Sequence, residues 1–365
     1  MTLQEWKEIG QLSPSVVNMS SVARRQNRRR EQDSGISRTA RIIVSALILA
    51  ANFGGNGFAS VAKKSDGGHV PKESPFYRRE CKAAEHLVTV ESLRVHYIES
   101  GTGRPVVMIH GNAGTVEDFE FGAVQLISRE YRVFAIDRPG HGTSDRPAGK
   151  TATVEYQTEL LHRTLSALGI VQPVLVGHSW GAALALAYAL KYPQEVSAIV
   201  LLAPAAYPDD GGNSLLHATI RTPVIGDLGL LMGKWIMGRR MLKRVLARAF
   251  FPQSVPVDYF KLASSSWLGQ KQLKAYLEDE WALNDSLKKM SKRYSDLNIP
   301  VVIVTGDQDK IVSPKENAYR LQAAIPQSRL IELKETGHEI PQTRPESIYA
   351  ALTLISPSSS VSKLN

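Results

Sequence analysis

The sequence predicts an α/β fold: a mostly parallel central sheet flanked by helices, with a helical segment inserted into it. Three observations lead there. Short runs such as Val106-Val107-Met108-Ile109, Val174-Leu175-Val176 and Val301-Val302-Ile303-Val304 are aliphatic throughout, as strands buried on both faces must be. They alternate with longer stretches of helical periodicity, which implies parallel strands joined by right-handed crossovers. Between the strand ending near Ala203 and the one starting at Ile299 lie about ninety residues, far more than a crossover needs. At 365 residues and 43% hydrophobic side chains, the chain can bury one such domain with an insertion and a terminal extension.

Residues 1–62 read as a basic leader followed by a short apolar, signal-like segment. Arg24-Arg25 and Arg28-Arg29-Arg30 precede the apolar run from Ile42 to Ala51, and no charge occurs between Ile42 and Ala62. That run is far short of the ~20 residues a membrane-spanning helix needs. With Ser60-Val61-Ala62 as a small-residue cleavage site it suits a secretory signal peptide, and Met19 is an alternative start. The expectation is export, periplasmic or extracellular, with an N-terminal membrane anchor or a cytoplasmic protein with a free tail as alternatives. Residues 63–85 read as a linker containing Gly67-Gly68, Pro71 and Pro75.

The core is expected in two parts, 86–203 and 299–355, around the insertion at 204–298. Leu87–Val90 and Leu93–Ile98 alternate as strands of an antiparallel edge. A strand to Ile109, a helix from Val116 to Arg129, a strand from Arg132 to Ile136 and a helix from Val154 to Leu168 follow. The insertion carries helical stretches at Leu228–Phe251, Asp258–Leu268 and Lys271–Met290. Ile299–Val304 and Arg329–Leu333 are the last strands, and residues 356–365 form a Ser-rich tail read as disordered.

Chemistry concentrates where strands end. Gly177-His178-Ser179-Trp180-Gly181 joins an aliphatic strand to an alanine-rich helix, the form of a turn that lifts a nucleophilic serine above a sheet. A serine hydroxyl needs a base, an orienting acid and oxyanion donors. His110-Gly111-Asn112 closes an earlier strand, so the backbone N–H of Asn112 could face the reacting carbonyl opposite that of Trp180. Asp309 follows a later strand and is the favoured acid, with Asp307, Asp209 and Asp210 as rivals. His338, on the loop after the last strand, is the candidate base.

Charge and cysteine content exclude several classes. The net charge is +9, but residues 1–85 hold 14 Lys and Arg against 8 Asp and Glu, which is +6 of it. A nucleic-acid binder would place basic charge on its folded body, so no nucleic-acid partner is expected. Cys81 stands alone and rules out an internal disulfide. No Cys/His spacing matches a metal site, and neither metal nor cofactor is expected.

From about His86 to Ile355 the chain resembles the α/β-hydrolase fold superfamily, in its serine-nucleophile, esterase- and lipase-like members. The resemblance rests on Gly101-Thr102-Gly103, His110-Gly111-Asn112, Asp137-Arg138-Pro139-Gly140-His141-Gly142-Thr143-Ser144, Gly177–Gly181, Gly306–Asp309 and Gly337-His338. It implies a triad of Ser179, Asp309 and His338, oxyanion N–H groups at Asn112 and Trp180, and a lid formed by the insertion. Phe119 and Trp180 would line an acyl pocket, or either could be plain core. A small-molecule ester is the implied substrate, cleaved through an acyl-enzyme. Carbon–carbon bond hydrolysis, cofactor-free perhydrolysis and a non-catalytic ligand-binding role are the alternatives. In the first stretch of the insertion, Arg239, Arg240, Lys243 and Arg244 interleave with apolar residues, which raises contact with a membrane surface through the lid or the N-terminal segment.

Overall fold

A computed structural model describes residues 83–149, 151–209 and 238–355. The leader, most of the linker, residues 228–237 of the first insertion helix, Asp210 and the tail at 356–365 lie outside the described residues.

Eight strands form one sheet: β1 (Ala84–Val90), β2 (Leu93–Ser100), β3 (Arg104–Ile109), β4 (Tyr131–Ile136), β5 (Val174–His178), β6 (Ala198–Leu202), β7 (Val301–Gly306) and β8 (Arg329–Leu333). Their order is β1-β2-β4-β3-β5-β6-β7-β8. β1 and β2 form the antiparallel edge, β2 meets β4 antiparallel, and every later pair is parallel. β1 begins at Ala84, inside the stretch read as linker, because Ala84 and Glu85 already pair with Glu99 and Ile98.

The aliphatic strand runs do what their composition demands. β5, β6 and β7 are buried along their whole length, with helices on both faces. On one side α2 (Val154–Ala167) and α3 (Trp180–Lys191) pack through Leu160, Leu161, Leu165, Leu184 and Leu186 onto Val107, Leu175 and Ile199. Thr153 caps α2 by accepting a hydrogen bond from the Tyr156 N–H. On the other side lie α1 (117–127) and α9 (Pro345–Ile355), through Phe119, Ile127, Ile348 and Leu352.

Between β6 and β7 the described chain is helical: α4 (238–249), α5 (Val257–Ser266) and α6 (Gln270–Met290). Leu242, Leu246, Ala249 and Phe250 pack with Tyr259 and Ala263 into a small core of their own, four or three residues apart as one helix face requires. α7 (315–324) and α8 (Ile340–Thr343) complete the chain around the sheet's carboxyl end.

Candidate active site

The strand–turn–helix at Gly177–Gly181 fixes one serine. Ser179 has φ +52° and ψ −114°, a conformation that side-chain-bearing residues rarely adopt. The two glycines permit it sterically: a Cβ on Gly177 would run into the Gly181 carbonyl, and one on Gly181 into the Ile109 carbonyl of β3. The serine therefore stands between β5 and α3, half-buried, on the wall of a cavity of about 840 Å³.

His338 reaches the same cavity from the loop after β8. Its Nδ1 lies 2.7 Å from Asp309 Oδ2, and the other carboxylate oxygen accepts the N–H groups of Ile311 and Val312 at 2.7 and 2.9 Å. Burial alone would raise the Asp309 pKa, but the attraction of His338 and these hydrogen bonds outweigh it and hold the carboxyl below its ordinary value. Burial would lower His338, and Asp309 reverses that, so the imidazole sits above its usual value. With Nδ1–H donating to Asp309, Nε2 carries the lone pair. Ser179 and His338 share the cavity without a hydrogen bond between them, as is common before substrate binds.

The rival acids are elsewhere engaged. Asp307 accepts the Thr336 N–H at 3.4 Å and faces Lys334. Asp209 is tied through its backbone to Asn284. Phe119 departs from the pocket expectation: it is fully buried among Val116, Ala123 and Ile127 under the sheet and is not on the cavity wall, whereas Trp180 is. The helix turns Phe119 toward the core and its neighbour Asp118 toward the cavity.

A buried polar cluster holds the His110-Gly111-Asn112 loop. Arg138 donates to the carbonyls of His110 (3.2 Å) and Gly111 (3.0 Å), stacks 4.0 Å over the Trp180 ring, and pairs with Asp279 of α6 at 2.6 Å. Arg146 reaches the other Asp279 oxygen at 2.8 Å, and His141 Nε2 lies 3.0 Å from Asp279. Burial would raise Asp279, but Arg138, His141 and Arg146 hold it far below the usual carboxylate range. His141 stays neutral, pushed down to about 4 by burial and Arg138. Asp137 anchors the same loop region by accepting the N–H groups of Val116 and Thr143. From α6, Gln272 donates to Ala113 O at 2.7 Å, while Asn112 Nδ2 donates to Tyr276 O and Glu280, each at 3.0 Å. The backbone N–H groups of Asn112 and Trp180 have no acceptor among the described residues. Of these groups the sequence reading singled out Asp137, Arg138 and His141 only as parts of a motif, and missed Asp279, Gln272 and Glu280 altogether.

The comparisons agree with this architecture. The model of the alpha/beta hydrolase fold matches residues 104–345. The chain is 29% identical to Lipase 1 of Psychrobacter immobilis, over 66% of this chain and 74% of that one. It is 28% identical to a 2-hydroxy-6-oxononadienedioate/2-hydroxy-6-oxononatrienedioate hydrolase of Comamonas testosteroni, over 68% and 86%. Among solved structures, an alpha/beta hydrolase fold protein from Burkholderia ambifaria superposes with a TM-score of 0.62 at 22% identity, covering 73% of this chain and 96% of that one.

Proposed function

The chain belongs to the α/β hydrolase fold family, and on that premise we propose that it cleaves a carboxylic ester through an acyl-enzyme on Ser179. The observation that carries this reading is the 2.7 Å His338–Asp309 contact, which leaves His338 Nε2 with a lone pair in the cavity that Ser179 lines. His338 takes the Ser179 proton as Oγ attacks the ester carbonyl. The oxyanion that forms accepts the unused N–H groups of Asn112 and Trp180, a pair of the kind whose removal costs about 10²–10³ in kcat per donor. Collapse breaks the ester C–O bond, and the His338 proton goes to the departing alcohol. Water, deprotonated by His338, then releases the acid and restores Ser179.

Carbon–carbon bond hydrolysis by the same triad is the second reading, because relatives bear that name. The cavity wall favours the ester. Among the described lining residues, five carboxyls (Asp118, Asp209, Glu280, Glu316 and Glu339) face one Lys or Arg, Arg320. The dioate named for one of those relatives carries two negative charges and would find one Lys or Arg on that wall to pair with. Treatment with a fluorophosphonate should label Ser179 and abolish activity toward p-nitrophenyl esters. An unlabelled Ser179 in folded protein overturns the serine mechanism, and turnover of a vinylogous diketo acid without ester turnover selects the second reading.

A further inference from the structure

Two of those carboxyls have no part in the proposed reaction. Glu339, directly after His338, is 6% exposed and Asp118 is 5% exposed, and both line the cavity. Asp118 is held in place: Tyr259 Oη donates to its Oδ1 at 2.9 Å and the Thr115 N–H to its Oδ2 at 3.3 Å. The Glu339 carboxyl has neither a hydrogen-bond donor nor a paired cation among the described residues. A carboxyl so buried is costly to ionise unless a donor or cation meets it. The Glu339 charge also acts on Asp118. Burial first, and the Glu339 charge second, push Asp118 well above the carboxylate range. Burial raises Glu339 to about 7, against the pull of His338.

The surroundings favour one kind of partner. Tyr259 and Trp267 add aromatic faces to the cavity, which attract cations. The one described Lys or Arg on the wall, Arg320, is stacked 3.8 Å over the Tyr207 ring. An anionic group placed here would meet Glu339 with no cation to pair with, and a neutral alkyl chain would leave Glu339 unsatisfied. A positively charged nitrogen would satisfy it.

We propose that Asp118 and Glu339 form a subsite of the catalytic cavity for an organic ammonium group, so that the enzyme takes amine-bearing substrates ahead of their neutral isosteres. This names a substrate class for the hydrolytic reading and rests on that reading for turnover alone, because binding the cation needs no reaction. The ammonium N–H groups donate to the Glu339 carboxylate, and below about pH 7 the carboxyl releases its proton to solvent as the cation arrives.

Calorimetric titration of the full chain with n-hexylammonium and with 1-hexanol tests it. At about pH 8 the ammonium should bind about 10-fold or more tighter than the alcohol. The ratio should fall toward one in Glu339→Gln, which keeps the shape and removes the charge. Asp118→Asn gives the same readout should Glu339→Gln fail to fold. Ser179→Ala should retain the preference, and fluorophosphonate labelling reports on the hydrolytic reading separately, so either can fail without the other. Equal affinity for the two probes in the wild type, or a preference that survives both substitutions, overturns the subsite.

Discussion

The Arg138–Asp279 cluster beneath Asn112 and two carboxyls of the cavity near His338, Asp118 and Glu339, are similarly buried, yet they treat charge in opposite ways. In the first, every buried charge meets its complement: Asp279 accepts from Arg138 and Arg146, and His141 and Gln157 fill the remaining positions. In the second, Asp118 accepts only neutral donors and Glu339 has no hydrogen-bond donor among the described residues, although both line the cavity that His338 enters. The matched cluster fixes backbone, since its donors and acceptors end on the carbonyls of His110 and Gly111 and on the Trp180 ring. On the second side Asp118 holds Tyr259 and the Thr115 N–H, while Glu339 keeps bonding capacity for something that enters. Burial of charge thus marks position in one place and reception in the other, and pairing with a charge of opposite sign separates the two.

The sharpest test of the paired side is Asp309→Asn. His338 would lose the acceptor that sets its tautomer and stabilises its cation, and kcat should fall by about 10⁴ with the fold intact. Near-normal activity, with Asp307 or Asp209 substitution proving fatal instead, would transfer the role. The same pairing predicts the pH profile of the unaltered enzyme. His338 must be neutral to accept a proton, and its pKa stands above the ordinary imidazole value, so kcat/KM should fall as pH drops through a midpoint above about 6.5.

Asp279→Ala breaks the matched cluster at its centre and strands Arg138 in a dry site. Removing one partner of a buried pair costs about 3–5 kcal/mol, and denaturant unfolding should show a loss of that size. Because Asn112 and Trp180 lean on the same cluster, kcat should fall in the variant that remains folded. A loss below about 1 kcal/mol, the range of a surface pair, would mean that the cluster is not as tightly matched as its geometry indicates.

Glu339→Gln should act with the opposite sign. The folded-state pKa of Glu339, about 7, lies above its ordinary 4.5, so the folded protein keeps a proton that the unfolded chain has released. Its favourable contribution is complete below pH 4.5 and is lost as pH rises through 7. The variant should therefore match the wild type near pH 4 and exceed it in stability above about pH 8, by on the order of 3 kcal/mol at most. A variant less stable than the wild type across the whole range would show that the carboxyl has partners after all.

How far the sequence revealed this follows from the range of each interaction. The turn at Ser179 was legible because its causes are local: an aliphatic strand, two glycines and a small-residue helix within a few positions. The antiparallel edge and the parallel strands were legible from alternation and aliphatic runs for the same reason. Asp279 was not, because a charged residue on a helix ordinarily points to solvent, and only the approach of Arg138, 141 positions earlier, makes it a core residue. Phe119 was read as a pocket residue, with plain core as the alternative, because periodicity gives a helix two faces without saying which meets the sheet. Glu339 was passed over beside His338, since a carboxylate one residue from an imidazole carries no signal until the cavity shows where each points.

The outer surface of the insertion extends the comparison from buried charge to exposed charge. Along α4, Leu242 and Leu246 turn inward and the exposed Met241 and Val245 line the cavity, while Arg239, Arg240, Lys243 and Arg244 are exposed and do not line it among the described residues. If this face meets an anionic lipid surface, each basic side chain near it is worth about 1 kcal/mol, and salt screens the attraction over roughly a Debye length. Replacing the four basic residues by Gln should then weaken binding to phosphatidylserine vesicles at low salt, with the difference shrinking as salt is added. Hydrolysis of a short soluble ester should hardly change, because none of the four lines the cavity among the described residues. Co-sedimentation with vesicles measures the first effect and a p-nitrophenyl ester assay the second. Wild-type protein that stays in the supernatant with anionic vesicles at low salt would leave α4 as a packed helix with an ordinary solvated face.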